Sequence, residues 1–167
     1  MQRYGFVFML AMSALAPAPV ATAAAHHEPA HVQKPRKNAR TPAEQPYGRP
    51  GEARKVKRVI SIDMSDTMRF FPSELRAKRG DTVRFELRNS GELHHEMVIG
   101  SMDDLKKYAA LMKRNGGMDH VDANAVHAAP GEKARMVWQF TKPGEFYYGC
   151  LVPGHFDAGM IGTIVVR

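Results

Sequence analysis

Glu145-Phe146-Tyr147-Tyr148-Gly149 and Ile161-Gly162-Thr163-Ile164-Val165-Val166 read as two short strands. Between them runs Cys150-Leu151-Val152-Pro153-Gly154-His155-Phe156-Asp157-Ala158-Gly159-Met160. Pro153, Gly154 and Gly159 mark the intervening segment as a shaped loop rather than a continued strand. That loop sets a thiol, an imidazole and a thioether at the spacing Cys-x4-His-x4-Met.

Working outward, the same punctuation recurs. Val56 to Met64 alternates towards its end, and Phe70-Phe71-Pro72-Ser73-Glu74-Leu75 reads as an irregular crossing. Arg79-Gly80-Asp81 is a turn before Thr82 to Arg88, which alternates apolar and polar residues cleanly. Asn89-Ser90-Gly91 is another turn, and His95 to Ile99 a further strand. Ser101-x-x-Asp104 resembles a capping box. Leu105, Tyr108, Ala109 and Met112 then recur at helical spacing until Gly116-Gly117 stops the helix. After an irregular stretch, Ala134 to Phe140 alternates again, and Lys142-Pro143-Gly144 is a turn. Many short strands with turn-marked spacing and one helical insertion predict an all-β antiparallel sandwich over residues 56–167.

The preceding residues differ in kind. Residues 1–25 carry Arg3, an apolar stretch to about Ala16 and a small-residue end, which predicts a signal peptide cleaved near Ala23–Ala25. The apolar run is broken at Pro17 and Pro19 and is shorter than a membrane span needs. The mature chain is therefore expected to be exported to the periplasm with no membrane span. Residues 26–55 hold 7 Lys/Arg, 3 Asp/Glu and 5 Pro, with little large and apolar beyond Val32 and Tyr47, and read as a disordered basic tail. Most of the net charge of +7 sits there, because residues 56–167 contain 16 basic and 14 acidic residues. A nucleic-acid-binding fold is thus poorly supported. A single Cys excludes an intrachain disulfide and any four-cysteine metal site.

The donor set of the loop decides the chemistry. Soft sulfur with borderline nitrogen suits copper, and one Cys with two His and a weak axial Met lets Cu(I) and Cu(II) interconvert with little ligand movement. Zinc could use the same donors but lacks its usual tetrahedral Cys/His pattern here. The loop provides three ligands; the second His must come from elsewhere, and His94-His95 on an upstream strand is the obvious source. Adjacent strand residues face opposite sides, so only one of that pair can enter the site.

On these residues the chain resembles the cupredoxins, small type 1 copper proteins such as plastocyanin, azurin and auracyanin. The resemblance rests on Asn89-x5-His95, Tyr147-Tyr148-Gly149-Cys150, Pro153-Gly154-His155 and Gly159-Met160-x-Gly162 in combination, over about Val56 to Arg167. It implies a Greek-key β-sandwich, with the helical insertion following the first ligand strand. It also implies His95, Cys150, His155 and Met160 as copper ligands, selecting His95 over His94. Plastocyanin and azurin have an Asn after the first ligand that helps tie the two ligand segments together; here Glu96 stands at that position.

The remaining His and Met residues form a second set. Met112, Met97 and Met136 fit core positions. Met64, Met68, His94, Met118, His120 and His127, with His26, His27 and His31 in the tail, are candidate additional ligands that could hold extra Cu(I). This surplus predicts a protein of copper tolerance or handling. The alternative is a mobile one-electron carrier, whose redox partner would dock near His155 beside Pro153 and Phe156. An enzyme is not expected, since a single domain shows no second His-rich catalytic constellation.

Overall fold

The computed structural model describes residues 44–114 and 122–167. Ten strands form two five-stranded sheets. The first has the order β1-β8-β5-β2-β3 and the second β4-β10-β9-β6-β7. The strands are β1 (Arg49–Pro50), β2 (Arg58–Ser65), β3 (Arg69–Phe71), β4 (Glu74–Ala77), β5 (Thr82–Asn89), β6 (His95–Gly100), β7 (Ala125–Ala128), β8 (Lys133–Gln139), β9 (Gly144–Gly149) and β10 (Ile161–Val166). The helix α1 (Met102–Arg114) follows β6. The predicted Greek-key β-sandwich with one helical insertion is the observed architecture. Parallel pairing is confined to β2 with β5 and β4 with β10.

The alternation expected in Thr82 to Arg88 turns Val83, Phe85 and Leu87 into the core while Glu86 and Arg88 face solvent. They meet Trp138, Ile164 and Val166 from other strands, and Phe140 just past β8, in one apolar cluster between the sheets. Phe70 to Leu75, read as an irregular crossing, is more regular than expected. β3 pairs with β2 in one sheet, and two residues later β4 pairs with β10 in the other. Pro72 between them has no N–H to give either ladder, which makes it a suitable place for the chain to change sheets.

Strand β6 is buried along its whole length. Met97 and Ile99 join the interior cluster, whereas Val98 packs outside it with Leu105, Met112 and Leu151. Helix α1 therefore roofs the outer face of β6 and β9. It starts where the sequence predicts: the Asp104 amide donates to Ser101 Oγ at 3.1 Å, and that hydroxyl donates to Asp104 Oδ2 at 2.6 Å. The expected stop at Gly116-Gly117 lies outside the described residues.

The reading of residues 26–55 as a disordered tail needs correcting from Glu44 onwards. Tyr47 is buried and stacks on Trp138 with ring centroids 6.0 Å apart. Trp138 Nε1 donates to the Tyr47 carbonyl at 2.8 Å, and β1 pairs with β8 through Arg49 and Pro50. Composition averaged over thirty residues hides one aromatic anchor, and an edge strand tolerates proline because its outer side needs no donor. The predicted signal peptide and residues 26–43 lie outside the described residues. Among the described residues, no helix is long and apolar enough to cross a membrane.

Candidate metal centre

Strand β9 ends at Gly149, and the chain folds back on itself before β10. The Cys150 amide donates to the Met160 carbonyl at 3.1 Å, and the Met160 amide donates to the His155 carbonyl at 3.0 Å. Between them, the His155 amide closes a turn onto the Val152 carbonyl at 3.0 Å. These bonds gather residues 150, 155 and 160 at one end of the sandwich. The glycine after Met160 has a steric reason: a Cβ at Gly162 would lie 2.1 Å from the ring of Tyr148, which is fully buried and donates its hydroxyl to the Pro72 carbonyl at 2.7 Å.

His95 completes the cluster from the first residue of β6. Its Nδ1 is 3.9 Å from Cys150 Sγ, and His155 Nδ1 is 3.4 Å from the same sulfur. One donor atom from each of the three residues lies within 4.8 Å of the others, and all three residues are buried. Buried imidazole nitrogens converging on a thiol fit a copper ion as the sequence predicts. His94 lies just before β6 and is exposed, whereas His95 is buried in the cluster.

The surroundings prepare each donor. His95 Nε2 sits 3.0 Å from Asp66 Oδ1, which holds the Nε2–H tautomer and leaves the Nδ1 lone pair towards the sulfur. Hydrogen bonds from the Glu92 amide, then from His95, hold the Asp66 carboxyl below the usual range and keep it ionised. Burial, then the neighbouring His95, lowers the pKa of His155 and keeps its imidazole neutral. Burial pushes the Cys150 thiol up to about 12, so a metal must displace its proton.

Glu96 faces the opposite side of β6 from His95. Its Oε1 accepts the Leu151 amide at 2.9 Å, and its Oε2 lies 3.0 Å from His127 Nδ1. The carboxylate thus ties the first ligand strand to the residue after Cys150, the task that Asn performs in plastocyanin and azurin. Asn89 is wholly buried and donates to the carbonyls of Leu93 and Ala128 at 2.7 and 3.0 Å, which explains its place in the Asn89-x5-His95 motif.

The structure divides the other candidates. Met64 is buried in the interior cluster and Met68 packs at its margin, as apolar side chains do. His127 is about half exposed and engaged with Glu96. Met97, Met112 and Met136 are core residues, as expected. His26, His27, His31, Met118 and His120 lie outside the described residues. Among the described His, Cys, Asp and Glu residues, His95, Cys150 and His155 form the metal-competent cluster, and His94 and His127 are not part of it. Phe156, expected beside His155 at a docking edge, is half-buried. Its ring packs over Gly149 and beside Leu105, fastening the ligand loop to α1, while Pro153 is exposed.

Asp66 escaped the sequence reading. Nothing in Met64-Ser65-Asp66-Thr67-Met68 separates it from an ordinary polar turn, and its role follows only from the pairing of β2 beside β5, the strand that leads to His95.

Comparison with known proteins agrees with this geometry. The chain is 50% identical over 125 residues to the copper-resistant cuproprotein CopI of Rubrivivax gelatinosus, covering 75% of this chain and 76% of that one. It is 32% identical over 152 residues to CopI of Pseudomonas aeruginosa, covering 74% and 83%. The reduced auracyanin of Roseiflexus castenholzii shares the fold at a TM-score of 0.59 and 20% identity, over 67% of this chain and 98% of that one. Residues 56–167 match the family model for copper binding proteins, plastocyanin/azurin family. With its Cys, two His and Greek-key sandwich, the chain belongs to the plastocyanin/azurin family of copper-binding proteins.

Proposed function

We propose that this protein is a periplasmic type 1 copper protein that serves copper tolerance, with His95, Cys150, His155 and Met160 as its ligands. The observation that carries the reading is the buried convergence of Cys150 with two imidazoles, in a chain half identical to a copper-resistant cuproprotein. Met160 is fully buried, and its backbone is bonded to the ligand loop at both its N–H and C=O, which supports it as the weak fourth donor.

Bound copper would supply one-electron exchange between Cu(I) and Cu(II). The protein's own contribution is to exclude water, to fix the His95 tautomer through Asp66, to keep His155 neutral and to hold the Cys150 loop through Glu96. A preformed donor set of this kind changes little between the two oxidation states, which favours electron exchange and metal retention over catalysis on a substrate. We therefore read it as a binding and redox protein, not an enzyme.

Titrating the purified chain with copper, followed by visible and electron-paramagnetic spectra, tests the site. An intense thiolate-to-copper band at one equivalent is expected, and Cys150→Ser should abolish it. The extra His and Met residues add a second expectation: more than one Cu(I) per chain once the type 1 site is filled. Deleting the gene should sensitise cells to copper while respiration stays near normal. A strict one-to-one stoichiometry, with a deletion strain that loses electron transfer but tolerates copper, would favour a mobile carrier docking near His155.

A further inference from the structure

The turn joining β2 to β3 provides none of the four proposed ligands, yet two of its side chains end on the segments that bear them. Asp66 reaches His95 Nε2 at 3.0 Å and also accepts the amides of Glu92 at 2.7 Å and Leu93 at 3.3 Å. Arg69, three residues on, donates from Nη1 to the Ala158 carbonyl at 2.9 Å, in the segment between His155 and Met160. Its guanidinium lies against Gly159, where a Cβ would come within 3.3 Å of Nη1. One short turn therefore touches both halves of the site, the β6 half and the loop half.

The turn itself is firmly shaped. The Met68 amide donates to the Ser65 carbonyl at 3.0 Å, Ser65 Oγ and Thr67 Oγ1 are 2.8 Å apart, and Arg69 Nη1 also donates to the Met68 carbonyl at 2.7 Å. Met68 has φ 58, the described non-glycine residue with a left-handed backbone. Few L-residues adopt that conformation. The facing loop is shaped to receive Asp66: a Cβ at Gly91 would lie 2.0 Å from Asp66 Oδ1.

We infer that the Ser65–Arg69 turn is a clasp, in which Asp66 and Arg69 act as positioning residues that lock His95 and the His155–Met160 segment to one another. The inference rests on the proposed copper site. Both clasp side chains are solvent-accessible and contribute little to the core. Exposed polar contacts of this sort contribute little to stability. Removing them should therefore leave the fold intact while loosening the site. Second-sphere partners of metal ligands commonly shift metal affinity by about 10–100-fold.

The test uses the whole chain in two states. In the metal-free protein, Arg69→Ala should raise the alkylation rate of Cys150 about tenfold, because the loop covering the thiol loses its outside tether. Arg69→Lys, which keeps one charged donor, should restore most of the protection. Asp66→Ala, which removes the acceptor, should shift the His95 ring-nitrogen signals away from the Nε2–H tautomer. In the copper-loaded protein, Arg69→Ala should speed transfer of Cu(I) to bicinchoninate, and Asp66→Ala should raise the reduction potential because a negative charge beside the ligand is lost. Native-like thiol protection, tautomer and copper release in both variants would overturn the clasp. So would equal losses in Arg69→Ala and Arg69→Lys accompanied by a large fall in Tm, which marks a merely structural contact. If the native chain shows no thiolate-to-copper band, the proposed copper site fails, while the metal-free measurements still decide the clasp.

Discussion

The two faces of β6 carry different work. The inward face presents His95, Met97 and Ile99 to the donors and to the core between the sheets. The outward face presents Glu96 and Val98 to the loop, to His127 and to the apolar cluster under α1. One face supplies a ligand; the other holds the remaining ligands' loop in place. A strand covered on both sides loses the alternation of polar and apolar residues that usually reveals its orientation.

The comparison breaks first at the histidine pair. His95→Ala should abolish the type 1 spectrum, whereas His94→Ala, altering an exposed side chain just before the strand, should leave it unchanged. Loss of the spectrum in His94→Ala would place the strand out of register by one residue.

The outward face is sharpened by Leu105→Ala. Leu105 is almost fully buried on the inner face of α1, so truncation should cost about 2–5 kcal/mol. The protein that remains folded should keep its copper spectrum but release the metal faster, because Leu105 backs Leu151 and Phe156 of the ligand loop rather than a donor. A smaller loss follows at Glu96. Glu96→Ala leaves the buried Leu151 amide without its acceptor, at about 1–3 kcal/mol, while Glu96→Gln keeps the acceptor and should retain most stability. Denaturant titration of the two variants side by side measures the difference.

The smallest effect is a pH dependence of the metal-free protein. Cys150 is raised from 9.0 to about 12 by burial. Between those values the unfolded chain loses the thiol proton while the folded chain keeps it. Stability from this group is thus intact at and below pH 9 and declines as pH rises towards 12. The slope is at most about 1.4 kcal/mol per pH unit. Cys150→Ser should flatten that decline, and a decline of equal steepness in the variant would assign it to other groups.

Much of the proposed site was legible because its proposed donors cluster in sequence. Cys150, His155 and Met160 share one loop, and the glycine and proline around them advertise its shape. The partners of those donors were not legible, because they are brought in by sheet pairing. Asp66 stands 29 residues before His95, and it meets that ring only after β2 pairs beside β5. Glu96 was noticed as a departure from the Asn of plastocyanin and azurin, but its hydrogen bond to Leu151 needed the register of β6 against β9. The strand assignments held where one face met solvent, as in Thr82 to Arg88. They failed where a single residue anchored a polar segment, as Tyr47 does, and at β7, four residues long in an otherwise irregular stretch.

Trp138 is the chain's single tryptophan, and its indole N–H is bonded to Tyr47 on the strap that begins the described fold. The protein therefore contains its own optical gauge of that strap. Detachment of the segment around Tyr47 would uncover the indole to water and redden its emission while the ligand cluster's colour reports separately on the metal. Two wavelengths read from one sample can thus tell fraying of the first strand from opening of the site.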